Sequence, residues 1–206
     1  MRAFSLRSQE SQERLSWLHV VGLFVVLLAC SIPSQAARGT GVVLDGRVVG
    51  VTDGDTITVL DAEKRQHTVR LAAIDAPETS CHAKTPSARD EACVEQGQPF
   101  GKAAKKNLST LVFGKSVRVQ LTGEATYGRL VGMVFVDGRN ANYEQVAAGY
   151  AWVYGDYAKK VLSPLEHGKF RMAESSARAY KRGLWAESGA VPPWSYRKAD
   201  KLARGN

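Results

Sequence analysis

Short β-branched runs broken by Asp and Gly set the pattern of the chain from Val42 onward, which is the signature of strands. Val42-Val43-Leu44, then Gly46 to Val51, then Thr56 to Leu60 predict strands, with the Asp53-Gly54 pair as a turn between the last two. Val69 to Ile74 predicts another strand, stopped by Pro77, which has no N–H to offer a central ladder. Polar residues, Gly and Pro fill Thr79 to Gln98 without periodicity, predicting a surface loop. Pro99 then opens a helix in which Phe100, Ala103, Ala104, Leu108, Leu111 and Val112 recur at helical spacing until Gly114. Lys102, Lys105 and Lys106 fall on its opposite face. Ser116 to Leu121 and Leu130 to Val136 predict two more strands, the second ending at Asp137-Gly138. Asn142 with Gln145 reads as a capping box for a short helix that Gly149 ends, and Ser163-Pro164-Leu165-Glu166 as a clearer one. This last helix is expected to reach Arg182 and stop at Gly183. Five strands with about three helices between and after them predict a mainly β, α+β fold: an OB-type Greek-key barrel.

The first segment reads as a leader and not as part of the barrel. Arg2, Arg7 and Arg14 precede an apolar run from Trp17 to Ala29, and Ser34-Gln35-Ala36 offers small residues at a cleavage site. That run is too short to span a bilayer, which takes roughly 20 apolar residues. A lipid-modified Cys30 after Leu27-Leu28-Ala29 is the alternative reading. The organisation expected is therefore a signal peptide at 1–36, one domain at 37–190 and a basic C-terminal tail at 191–206. With the leader removed, Cys81 and Cys93 remain, and an even pair in an exported chain predicts a disulfide. His82 with these cysteines would give only three metal ligands and no CxxC knuckle.

Composition adds little to the fold and something to the partner. At 44% hydrophobic and 23% charged residues the chain can build a core, which excludes a disordered protein. The net charge of +8 favours a polyanionic partner.

The candidate chemistry lies in three segments beside turn signals: Asp53-Gly54-Asp55-Thr56, Arg70 through Ile74-Asp75-Ala76-Pro77-Glu78, and Tyr127-Gly128-Arg129. Pro77 puts Asp75 at a strand end and holds Glu78 on a turn. Alternation places Arg70 and Ile74 on one side of their strand. Asp55 opens its strand directly after the Asp53-Gly54 turn, and pairing as a barrel brings it toward Asp75. At an effective dielectric of about 20, two such charges about 4 Å apart repel by roughly 4 kcal/mol. A positive group must offset that, and hard oxygen donors suit Ca²⁺ or Mg²⁺. Each segment alone is more often a plain turn or a solvated strand face; their order in combination is what carries meaning. The DGDTI stretch lacks the later ligands and the glycine of an EF-hand loop, and Gly97 to Lys102 is too short for a phosphate-binding GxxxxGK loop. No HExxH, GxSxG or Cys-His nucleophile pair is apparent.

DGDT, then R-x-x-x-I-D-A-P-E, then a helix, then YGR resembles the staphylococcal nuclease family over roughly Val42 to Trp185. Gln98-Pro99-Phe100-Gly101-Lys102, Gly149-Tyr150-Ala151-Trp152-Val153-Tyr154 and Pro192-Pro193-Trp194 are similar to its secreted bacterial branch. The resemblance implies a Ca²⁺-dependent endonuclease acting on DNA and RNA, with single strands favoured, 3′-phosphate products and a monomeric chain. It implies Asp55, Asp75 and the carbonyl of Ala76 as metal ligands, with Asp53 outside them through water. It makes Glu78 the general base, Arg70 and Arg129 the grip on the phosphate, and Tyr127 a substrate contact. Either Tyr154 or Tyr157 would stack on the base, while Trp152 reads as core or rim. Thr126 stands where the family's namesake has a lysine, a departure that bears on the terminal-phosphate contact, although Tyr127 is retained. An OB barrel that binds nucleic acid without cutting it is the rival reading, and a metal-stabilised envelope domain a further one.

Overall fold

The structure, a computed structural model, describes residues 41–79, 97–123 and 128–203. The expected leader at 1–36 with Cys30, the Cys81–Cys93 pair, His82 and Tyr127 lie outside the described residues. The strands are β1 (Val43–Asp53), β2 (Thr56–Leu60), β3 (Gln66–Leu71), β4 (Ile74–Asp75), β5 (Ser116–Leu121), β6 (Leu130–Val136), β7 (Arg139–Asn140) and β8 (Trp152–Val153). The helices are α1 (Gly101–Val112), α2 (Ala141–Ala147), α3 (Gly155–Val161), α4 (Pro164–Ala179) and α5 (Pro193–Ala203).

Five strands close a barrel in the order β3-β2-β1-β5-β6, and β6 returns to pair in parallel with β3. The other neighbours in this ring are antiparallel. Closure removes the free edges that an open sheet would present. β1 is one continuous strand across the break expected at Asp45, because its first half pairs with β5 and its second half with β2. Two ladders of backbone hydrogen bonds outweigh the local turn preference of Asp and Gly. Irregularities between Val48 and Gly50 and between Val51 and Asp53 bend β1 so that it serves both partners.

Val48, Ile57, Val59, Val69, Leu71, Val119 and Val134 belong to the buried core. On β5 the alternation is clean, with Val117 and Val119 buried between exposed neighbours. Ala104, Leu108 and Val112 form the buried stripe of α1, and Val146, Phe170 and Ala173 add the contribution of α2 and α4. Tyr143 meets Phe170 edge to face at 5.5 Å between ring centroids.

Several boundaries differ from expectation for physical reasons. Helix α1 starts at Gly101 instead of Pro99, since Phe100 takes a left-handed φ of 68° and cannot lie inside a helix. Asn142 and Gln145 do not cap α2; that role falls to Asn140, whose side chain accepts from the Tyr143 N–H. Asn142 and Gln145 are instead fully buried, bonded to the barrel backbone. The Ser163–Glu166 capping box is present, but α4 ends at Ala179 and a 3₁₀ turn spans Gly183–Ala186. Among the described residues, five α-helices stand where about three were expected. The additions are α3, at seven residues too short to show a period, and α5, within the segment read as a basic tail.

Candidate active site

The hairpin between β1 and β2 pairs Asp53 with Thr56, leaving Gly54 and Asp55 as the loop. Asp55 thus sits in the turn itself and does not open the strand as expected. A Cβ on Gly54 would lie 2.7 Å from the Cβ atoms of both Ala104 and Ala76, so glycine is required there for room. Its carbonyl accepts from Gln145 Nε2 at 2.7 Å, which ties the turn to α2. Pressed against α1 in this way, Asp55 is buried. Its Oδ1 accepts from Thr56 Oγ1 and from Arg70 Nη1, each at 3.0 Å, and its Oδ2 from the Ala76 N–H at 3.1 Å. Asp53 Oδ1 accepts from the Asp55 N–H at 3.3 Å.

The run expected from Val69 to Ile74 is not one strand. β3 stops at Leu71, and the chain turns through Ala72 and Ala73, the latter at φ 66°. It resumes as β4, which pairs with β8 so that Asp75 faces Trp152 across the ladder. Arg70 and Ile74 therefore lie on different strands. The turn delivers Asp75, completely buried, to the guanidinium of Arg70, whose Nη2 donates to Asp75 Oδ1 at 2.7 Å. One arginine thereby bridges Asp55 and Asp75, from segments 20 residues apart in number (75 − 55).

Glu78 follows Pro77 on a segment held by its own backbone. Its N–H donates to Gln98 Oε1 at 3.4 Å, and its carbonyl lies against Gly101 where any side chain would collide. A second arginine joins Glu78 to the cluster. Arg197 of α5 donates from Nη1 to Glu78 Oε1 at 2.6 Å and to Asp75 Oδ1 at 3.2 Å, and from Nη2 to Asp75 Oδ2 at 2.6 Å. The array runs Asp55–Arg70–Asp75–Arg197–Glu78.

Burial, the largest influence, pushes the Asp55 carboxyl well above its ordinary value; Arg70 opposes this, and Asp53 and Asp75 add to it. Burial would lower the pKa of Arg70 and Arg197, but the carboxylates beside them win and push both up. Among the described residues, two guanidinium groups bridge three buried or nearly buried carboxylates. No three Asp, Glu, His or Cys side chains close on one point among the described residues. The carboxylates meet around guanidinium groups instead. Hard, partly desolvated oxygens of this kind nevertheless suit a divalent cation such as Ca²⁺ or Mg²⁺.

Arg129 precedes β6 by one residue and is half-buried. Val131 registers beside Arg70, so Arg129, two residues earlier, falls on the same face as Arg70. Tyr154 and Tyr157 stand 6.2 Å apart between ring centroids, and Tyr154 packs on Trp194 at 5.6 Å. Trp152 is buried and meets Trp185 edge to face, in agreement with a core or rim role.

Sequence reasoning missed Arg197, Gln98, Asn142 and Gln145. Pro193 and the helix-forming residues after it were the available signal for α5. Nothing local distinguishes Arg197 from the other basic residues of that segment.

A closed five-stranded barrel with a carboxylate–guanidinium array at one rim defines a class, the OB-like barrels that carry a polar site. Residues 68–187 match the family profile described as staphylococcal nuclease homologue. The chain is 33% identical over 198 residues to the micrococcal nuclease of Shigella flexneri, covering 92% of this chain and 97% of the relative. A Haemophilus influenzae protein named as an uncharacterized endonuclease is 33% identical over 180 residues, 87% of this chain and 83% of its own. An Escherichia coli O157:H7 protein with the same description is 37% identical over 155 residues, 75% and 85% of the two chains. The chain belongs to the staphylococcal nuclease family.

Proposed function

We propose that this chain is an exported, Ca²⁺-dependent endonuclease that hydrolyses DNA and RNA, favours single strands and leaves 3′-phosphate ends. Family membership and relatives named as nucleases support the substrate class. The observation that carries the chemistry is the sharing of Arg70 between buried Asp55 and Asp75, with Glu78 at the end of the same array. Asp55, Asp75 and the Ala76 carbonyl are the groups that would hold the cation, with Asp53 outside them. A divalent cation there supplies charge to the phosphoryl oxygens and to the attacking water. The guanidinium forks of Arg70 and Arg129 grip the scissile phosphate bidentately, which a lysine cannot do. Glu78 takes the proton of the attacking water. Tyr154 or its neighbour Tyr157 offers a ring on which an unpaired base can stack, and Tyr127 adds a substrate contact. The leader at 1–36 and a Cys81–Cys93 bridge complete the reading of a protein matured outside the cytoplasm.

The test is cleavage of single-stranded DNA by the mature protein with Ca²⁺, with chelator, and in variants. Glu78→Gln should lower kcat by about 10²- to 10⁴-fold, the range for a lost general base. Arg129→Lys should lose about 10²- to 10³-fold despite its retained charge, by analogy with a deleted oxyanion donor. Binding of the DNA with no metal-dependent cleavage would instead identify a non-catalytic module.

A further inference from the structure

The helix α5 lies beyond residues 68–187 of the family match, yet it supplies the cation nearest to Glu78 among the described residues. Its seating is specific at two points. Trp194 packs between Tyr154, at 5.6 Å, and Trp152, at 6.5 Å between centroids, so the helix rests on the aromatic wall of the site. Arg197 is one helical turn further on, which puts it on the same side as Trp194 and aims it at the carboxylates. The segment before the helix is tied down as well. Gln98 Nε2 donates to the Val191 carbonyl, while Gln98 Oε1 accepts from the Glu78 N–H. One side chain therefore links the backbone that carries the general base to the backbone that leads into α5.

The contact has a chemical consequence. Both oxygens of Asp75 and one of Glu78 are engaged by the Arg197 guanidinium, at 2.6 to 3.2 Å. A divalent cation binds carboxylate oxygens at about 2.3 to 2.6 Å; Arg70 holds only Oδ1 of Asp75, whereas Arg197 covers Oδ2 as well and stands as a like charge where the ion would bind. Arg197 also holds one oxygen of Glu78 that a base would otherwise turn toward water. We propose that α5 is a lid and Arg197 an internal cation, which neutralises Asp75 and Glu78 in the resting protein and must leave when a divalent ion takes Asp75. This rests on the reading of Asp75 as a cation ligand and Glu78 as the base. It adds that the chain holds its own competitor for the ion, so that metal binding and undocking of α5 are one event.

Calorimetric titration of the full chain with Ca²⁺ alone, paired with hydrogen–deuterium exchange, tests the lid. Arg197→Gln should bind Ca²⁺ at least about tenfold more tightly than the wild-type chain, the equivalent of one charge-assisted hydrogen bond removed from competition. In the wild-type chain, which needs no variant to fold, Ca²⁺ should speed exchange at the amides of residues 193–203 and leave the barrel strands protected. Equal or weaker Ca²⁺ binding by Arg197→Gln, or α5 exchange unaffected by Ca²⁺, would overturn the lid while leaving the metal-dependent nuclease intact. Failure of either chain to bind Ca²⁺, with no Ca²⁺-dependent cleavage, would remove the proposed function and the lid together.

Discussion

Burial and two neighbouring carboxylates work against the charged form of Asp55, with Arg70 opposing them, and that conflict can be measured. Its carboxyl in the folded chain titrates above the ordinary 3.8, chiefly because burial penalises the charged form. Between those two values the folded state holds more protons than the unfolded one, so stability falls as pH rises through the window. The favourable contribution is complete at acid pH and lost above the folded value. Asp55→Asn should therefore make the cation-free protein more stable at pH 7, and the gain should vanish below about pH 4, where Asp55 is neutral in both states. Urea midpoints in chelator across that range would check it; an Asn variant less stable at pH 7 would show that Arg70 compensates the charge fully. The position of Asp55 was partly legible, since a carboxylate beside a glycine turn stands out in the chain. Its burial was not, because the neighbouring Gly54 packs on Ala76 and Ala104, 22 and 50 positions further on (76 − 54 and 104 − 54).

Among the elements, α2 is short but holds the site together through two buried amides. Asn142 Oδ1 accepts from the Val134 N–H at 3.0 Å, and its Nδ2 donates to the Ala72 and Gly132 carbonyls at 2.9 and 3.1 Å. It thus joins β6 to the turn that redirects the chain into Asp75. Gln145 does the same for the Gly54 and Ala104 carbonyls. Asn142→Ala strands the Val134 N–H and the Ala72 carbonyl away from water, while the Gly132 carbonyl keeps the Ala72 N–H, and should cost about 2 kcal/mol or more, given roughly 1 to 3 kcal/mol for each buried group left unpaired. Chemical denaturation would measure it; a loss under about 1 kcal/mol would mean that water replaces the amide. The chain pattern pointed to a helix here and assigned both residues to its cap. Local spacing is the same for a capping box and for two amides turned inward, and only the packed barrel decides between them. The strands were easier to see, as on β5, where the alternation of Val117 and Val119 matches the buried face one for one. Helix α3 and the docking of α5 left no such trace, because a seven-residue helix completes barely two turns and a basic segment reads alike in solvent or against carboxylates.

For the molecule as a whole, barrel closure does the chemical work by bringing the β1–β2 hairpin, the β3–β4 turn and the start of β6 to one rim. The site is acidic at its centre, while the chain carries a net charge of +8, so the positive charge must lie mostly elsewhere. Part of it is on α1, whose buried stripe is Gly101, Ala104, Leu108 and Val112, leaving Lys102 and Lys106 exposed. Gly101 packs on the Glu78 carbonyl, so Lys102 emerges at the border of the site. On the proposed reading, with the scissile phosphate at Arg70 and Arg129, flanking phosphates would pass within the field of these lysines. Each contact with a single strand releases counterions and steepens the fall of log affinity with log salt by about 0.7. The double variant Lys102→Gln with Lys106→Gln should therefore raise KM for single-stranded DNA at low salt, flatten its salt dependence by about 1.4 units of slope, and leave kcat near the wild-type value. Cleavage kinetics at several salt concentrations separate the outcomes. An unchanged slope would move the substrate path off α1, whereas a fall in kcat at constant KM would place these lysines in the chemical step.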